Sequence, residues 1–291
     1  MEPSVTPTVL VVGSLHHDIV VEADHLPRRD ETAVGSRWYP KFGGKGGNQA
    51  VAVARAGAVC RMLGAVGDDA FGVFLREGLR KGGVDDRFVA VLPDAGSGMS
   101  VAIQDAQGDY AATIVSGANL RIDPAALTDP ALWQDVTLMI LQNEVPEALN
   151  LAAAKAARER QVPVLLNAAP ARALAAGLVP LIDILVVNAV EAEMMGGGRV
   201  ADLVTAEAAA RVLSDRFGKV IVTAGSKGLA AVGPQDGSFT LPAEKVTVVS
   251  SHGAGDAFVG ALGAGLARGI AFRSAVAEAS RAAARHVSTA R

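Results

Sequence analysis

The chain has 291 residues, half of them hydrophobic, enough to bury a large core without disulfide or metal staples. Charged residues make up 20% and the formal net charge is −3, which excludes a field that would gather nucleic acid or an anionic membrane, so the expected partner is a small molecule. The one cysteine, Cys60, lies in the run Cys60-Arg61-Met62-Leu63, where an inert buried thiol is expected and no disulfide within the chain can form.

In chain order, Met1 to Thr8 is polar and proline-bearing, without a basic segment leading into an apolar one, and no apolar stretch approaches a membrane span. A cytoplasmic location is the resulting expectation. Val9 to Val12, ending at Gly13, reads as a strand buried on both faces, because a short β-branched run bounded by glycine has no polar side to show water. Similar runs recur at Leu138 to Leu141, Val164 to Leu166, Ile184 to Val187 and Val220 to Thr223. Helical stretches such as Glu147 to Arg160 and Ala206 to Phe217 lie between them, and the alternation predicts an α/β fold with a parallel sheet wrapped by helices. Asp18 to Phe42 and Gly98 to Val115 break this rhythm with shorter, more polar strand-like pieces. Both predict antiparallel strands in a small lid sheet outside the main one, with a hairpin turn at Gln107-Gly108. Without repeats or long linkers, residues 1–291 read as one domain.

Four segments carry chemistry. Phe42 to Ala50 holds the cluster Gly43-Gly44-Lys45-Gly46-Gly47-Asn48 ahead of a helical run over Ala50 to Ala56. No Ser or Thr follows its lysine as a P-loop requires, so bare backbone with Lys45 and Asn48 suits hydroxyl binding, against the plainer reading of a glycine-rich helix start. Asn188 to Glu193 follows a strand and puts Asn188 and Glu191 at the sheet edge where ligands sit; Glu191 can hold Mg²⁺ through water or complement a helix dipole. Thr223 to Gly228 also follows a strand and reads as a turn, either a site or an ordinary corner.

The fourth is Ser250-Ser251-His252-Gly253-Ala254-Gly255-Asp256, after the strand-like Val246 to Val249 and before a helix marked by Phe258, Leu262, Leu266 and Ile270. Small residues leave the first-turn amides of Gly253, Ala254 and Gly255 bare for an anion such as a transferring phosphoryl group. Asp256 can take a proton from an attacking hydroxyl, or merely cap the helix.

Together and in this order these segments, with Gly13-Ser14, Leu141 to Glu144 and Leu166 to Arg172, resemble the ribokinase family, also called the phosphofructokinase-B family of carbohydrate kinases. The resemblance runs from about Val9 to the C-terminus. It implies a three-layer sandwich with a mainly parallel central sheet and a small β-sheet lid, and an ATP- and Mg²⁺-dependent kinase. The expected acceptor is a hydroxymethyl group of a small carbohydrate, a ribose-like pentose or ketohexose derivative. On it, Asp18, Gly44, Lys45, Asn48 and Glu144 would contact the sugar, Asp256 would be the base, and the Gly253 to Asp256 amides would stabilise the transition state. Asn188 would serve the nucleotide phosphates, Glu191 the Mg²⁺ through water, and Thr223, Gly225, Ser226 and Gly228 would line the nucleotide site. A homodimer through the lid sheet is also implied.

The chain departs from the family pattern in three places. His16 stands where ribokinases carry asparagine, and is expected to alter which ring hydroxyls are recognised. Ser250-Ser251 replaces an aspartate-threonine pair, and Arg291 falls short of a loop that helps bind a monovalent cation. A nucleoside kinase and a non-catalytic sugar-binding protein are the alternatives. An NAD-linked dehydrogenase is disfavoured because no G-x-G-x-x-G follows the first strand.

Overall fold

The computed structural model describes residues 7–105 and 110–289. The chain passes from β1 (Thr8–Val12) to β2 (His16–Ala23) and β3 (Gly35–Gly43), then through α1 (Lys45–Arg55), β4 (Val59–Gly67), α2 (Ala70–Lys81) and β5 (Val84–Leu92). After β6 (Met99–Gln104) and β7 (Tyr110–Val115), short 3-10 turns lead to β8 (Val136–Gln142), α3 (Glu147–Glu159) and β9 (Val164–Asn167). There follow β10 (Ile184–Asn188), α4 (Ala189–Met194), α5 (Leu203–Ser214) and β11 (Lys219–Thr223). The hairpin β12 (Gly228–Gly233) and β13 (Gly237–Pro242) precedes α6 (Ala254–Ala267) and α7 (Phe272–Ser288).

Nine strands form one sheet in the order β13-β12-β11-β10-β9-β8-β1-β4-β5, parallel except for the β12–β13 edge. β1 is buried throughout, and its side chains divide by the period of a strand. Leu10 and Val12 join a core beneath α3 and α5, while Val9 and Val11 join another beneath α1, α2, α6 and α7. Two cores on opposite faces make the three layers. Cys60 lies in the second core, where burial pushes its thiol up and keeps it inert. The lid is a separate four-stranded sheet, β3-β2-β6-β7. The pairs β2–β3 and β6–β7 are antiparallel as expected, but β2 and β6 run parallel.

Three expectations differ in detail. α1 begins at Lys45, five residues before Ala50, so most of the glycine cluster is helix. The reason is close approach: a Cβ on Gly46 would stand 2.6 Å from the Ser14 amide nitrogen, and only glycine lets this helix start against the end of β1. Val246 to Val249 is not a strand. The Val249 and Ser250 amides donate to the Val287 carbonyl of α7 and not to a strand, and Val248 and Val249 are exposed. Ile270 lies beyond the end of α6. The turn placed at Gln107-Gly108 falls outside the described residues, although β6 and β7 on either side do pair antiparallel.

Candidate active site

The site forms at the carboxyl ends of the parallel strands. Ser14 follows β1, Glu144 follows β8, and Asn188 and Thr223 end the adjacent strands β10 and β11, in register with each other. α1 and α6 begin at the same edge and pack closely, because a Cβ on Gly260 would come within 2.6 Å of the Gln49 carbonyl oxygen. That contact brings the first turn of α1 to the first turn of α6.

Glu144 is anchored to the start of α1. Its Oε2 accepts from Ser14 Oγ at 2.6 Å and from the Lys45 amide at 2.8 Å, and Ser14 Oγ in turn accepts from the Gly46 amide at 3.3 Å. Gly44, the N-cap of α1, has φ 85°, which glycine tolerates without strain. His16 is buried with Nδ1 3.8 Å from Glu144 Oε2, and its Nε2 has no hydrogen-bond partner. Asp18 reaches the site from the lid: its Oδ1 accepts from Ser100 Oγ at 2.5 Å, and its carboxylate lies where a side chain on Gly43 would otherwise be.

Asp256 is buried in the first turn of α6, accepting from Asn48 Nδ2 at 3.1 Å and Gln49 Nε2 at 2.9 Å. Burial pushes its carboxyl above the ordinary aspartate range; the Lys45 charge and the two amide donors oppose that rise, and Glu144 adds to it. A carboxyl held this way is a better proton acceptor than an ordinary aspartate. The turn in front of it opens at Gly253, in the left-handed region at φ 77°, and a Cβ on Gly255 would meet nothing within 4 Å. The space beside Gly255 is therefore open and Gly253 lines the neighbouring cavity, whereas the Ala254 amide, expected to be bare, donates to the Ser251 carbonyl at 3.3 Å. A cavity of about 440 Å³ runs beside Asp256, lined by Lys41, Phe42, Asn48, His252 and Gly253.

On the other flank, Asn188 and Glu191 form a reciprocal capping box at α4: Asn188 Oδ1 accepts from the Glu191 amide and Glu191 Oε2 from the Asn188 amide, both at 2.8 Å. The helix-start role raised from sequence is thus realised, with one oxygen of Glu191 used for it. Burial also pushes the Glu191 carboxyl up, opposed by the Asn188 amide and the Lys45 charge and reinforced by Asp256. A cation nearby would relieve that cost. Among the described residues no cluster of three or more metal-ligating side chains occurs. Thr223 to Gly228 forms a 3-10 turn at Gly225–Lys227, with Ser226 exposed and open space beside Gly225. Gly228, at φ 118°, lets the turn close onto β13.

The structure therefore brings His16, Asp18, Gly44, Lys45, Asn48, Glu144 and Asp256 into one neighbourhood. Glu191 joins them through the Lys45 and Asp256 charges, and Thr223 to Gly228 through the β10–β11 pairing. It adds Gln49 and Ser100, which sequence reasoning missed. Gln49 was readable only with α1 starting at Lys45. Ser100 meets Asp18 only through the β2–β6 pairing across 82 residues, which no local pattern announces.

The family model for pfkB family carbohydrate kinases matches residues 6–290. The ribokinase of Mus musculus is 37% identical over 258 residues, covering 87% of this chain and 80% of that protein. The ribokinase of Lactococcus lactis is 34% identical over 274 residues, covering 92% and 86%. The structure of Arabidopsis thaliana ribokinase complexed with ribose and ATP superposes with a TM-score of 0.89 at 28% identity, covering 98% of this chain and 93% of that one. With the whole site assembled at the sheet edge and the match spanning nearly all its length, this chain belongs to the pfkB family of carbohydrate kinases.

Proposed function

We propose that this chain transfers the γ-phosphoryl group of ATP to the hydroxymethyl oxygen of a ribose-like pentose. The observation that carries the reading is Asp256: a buried carboxyl with a raised pKa, fixed by Asn48 and Gln49, in the first turn of a helix that is open beside Gly255. Asp18, His16, Gly44, Lys45, Asn48 and Glu144 bind the sugar, with Glu144 itself held by Ser14 and the Lys45 amide. Asp256 accepts the hydroxyl proton as the oxygen forms its bond to the γ-phosphorus and the bond to ADP breaks. The Gly253, Ala254 and Gly255 amides carry the charge on the transferring group, so the protein contributes positioning and electrostatics.

Asn188, Thr223, Gly225, Ser226 and Gly228 bind the nucleotide. Glu191 would hold Mg²⁺ through water, and the ion would neutralise phosphate charge. The 291 residues act as one ribokinase-like unit, the two lid segments included. The need for ATP and the inert thiol of Cys60 suit a cytoplasmic enzyme, and among the described residues no helix is long and apolar enough to cross a membrane. The relatives named ribokinase, and the Arabidopsis protein solved with ribose and ATP, support ribose as the first substrate to try. A coupled assay of ADP release tests this with ribose, other pentoses, ketohexoses and nucleosides. Turnover with ribose is expected; turnover with nucleosides alone would make the chain a nucleoside kinase, and binding without ADP release a sugar-binding protein.

A further inference from the structure

The turn that opens α6 is held by its own residues only through two long contacts, the Ala254 amide to the Ser251 carbonyl and the His252 amide to Ser250 Oγ, both at 3.3 Å. Gly253 takes the left-handed conformation at φ 77° and no side chain caps the helix. The segment before it, residues 243–250, belongs to no strand. Its shorter contacts come from the far end of α7. The Val249 and Ser250 amides both donate to the Val287 carbonyl, at 2.7 and 3.2 Å, and His286 Nε2 lies 2.9 Å from the His252 carbonyl oxygen. A carbonyl only accepts, so Nε2 carries the proton and donates. The same ring lies against the turn itself, since a Cβ on Gly253 would stand 3.0 Å from Nε2 and 3.3 Å from Cε1. α7 is a firm base for this contact: Phe272, Ala275, Val276 and Ala279 are buried in the core shared with α6.

The consequence follows from peptide geometry. In a trans peptide the C=O and the next N–H point in opposite directions. A donor that pins the His252 carbonyl on one side thereby aims the Gly253 N–H to the other. We propose that His286 is a positioning residue for phosphoryl transfer, orienting the His252-Gly253 peptide so that the amides at the start of α6 stay aimed at the transferring group. The proposal rests on the kinase reading above, because it is that reaction which needs preorganised amides.

The test compares the wild type with His286→Leu, which keeps bulk and loses the donor, and His286→Gln, whose amide nitrogen reaches about as far as imidazole Nε2. A misaimed amide costs turnover, so His286→Leu is expected to lower kcat for ribose about 10- to 100-fold. Its sugar KM should stay within about twofold, since the sugar is held by other groups. His286→Gln is expected to restore most of kcat. Where melting curves show that His286→Leu does not fold, His286→Asn takes its place, its amide being too short to reach the carbonyl. Three outcomes overturn the proposal with the kinase intact: undiminished kcat in the donorless variant, a loss confined to sugar KM, or equal impairment of His286→Gln. A wild type that releases no ADP with any sugar overturns the kinase reading itself, and the proposal falls with it.

Discussion

Asp256 puts the proposed chemistry in a single carboxyl, and its surroundings give that carboxyl a measurable signature. Asp256→Asn preserves the shape and can keep one of the two hydrogen bonds from α1 but cannot take a proton, so it is expected to fold and bind sugar while kcat falls by about 10²- to 10⁴-fold. Near wild-type turnover in the variant would reduce Asp256 to a helix cap. Burial raises the carboxyl, and the base must be ionised to act, so activity is lost as pH falls through the raised pKa. The acid limb of kcat/KM should therefore lie above the 3.8 of an ordinary aspartate. A limb at or below that value would mean that Lys45 and the two amide donors outweigh burial. His16 makes a second prediction. Its ring is wedged behind Gly98, whose Cβ would come 2.7 Å from His16 Cδ2, with Nδ1 facing Glu144 and Nε2 buried without a partner. A buried imidazole offers one donor and one acceptor at fixed positions, unlike the amide of the family pattern. His16→Asn is expected to reorder kcat/KM among pentoses and hexoses, and an unchanged ranking would assign the ring to packing alone.

At the scale of elements, the α1–α6 contact sets the site, because Asn48 and Gln49 lie on one helix and Asp256 on the other. Gly260 is its closest point: a methyl there would meet the Ala52 side chain, the Gln49 carbonyl and the Val53 amide nitrogen, the last at 2.8 Å. Overpacking of this kind costs about 1–3 kcal/mol. Gly260→Ala should thus lower the melting temperature and, by separating Asn48 and Gln49 from Asp256, lower kcat as well; a melt like the wild type's would show the helices free to part. The same elements show what a sequence makes legible. β1, β8, β9, β10 and β11 are readable because each is a short apolar run with no polar face. The signature at Gly253 to Asp256 is readable because small residues and one acid concentrate at a helix start. Where the chain's neighbours decide, the reading stops. Val246 to Val249 has strand composition, but its end is tied to α7 through Val287, and α1 starts early because Ser14 and Gly13 press on Gly46. His286 meets the turn across 34 residues of sequence, a distance over which no periodicity reports.

For the whole molecule, the lid sheet has two faces with different duties. Strand alternation and register put Asp18, Lys41 and Ser100 on one face, toward the site. The other begins with His17, Phe42 and Met99. There His17 stacks on Phe71 at 4.0 Å and meets Phe74 edge-on, so this end of the face is covered by α2. The same face then continues outward through Ile19, Pro40 and Val101 to Val21, Trp38 and Ile103. α2 does not follow it: Trp38 is 66% exposed, and the aliphatic residues beside it are only half-buried. An apolar sheet face that outruns its own body is the surface expected for the homodimer that the resemblance implies, with a second lid laid across it. A stable pair needs about 800 Å² from each partner, and Trp38 at the outer row would supply a large anchor. Light scattering on the purified chain should accordingly give twice the chain mass, and Trp38→Glu, which sets a charge into that face without touching the sugar residues, should give the monomer. Because Asp18 and Ser100 stand on the same strands, loss of the partner loosens the lid, and sugar KM should rise in the monomer more than kcat falls. A wild type that elutes as a monomer with full activity would mean that the lid closes over the sugar unaided.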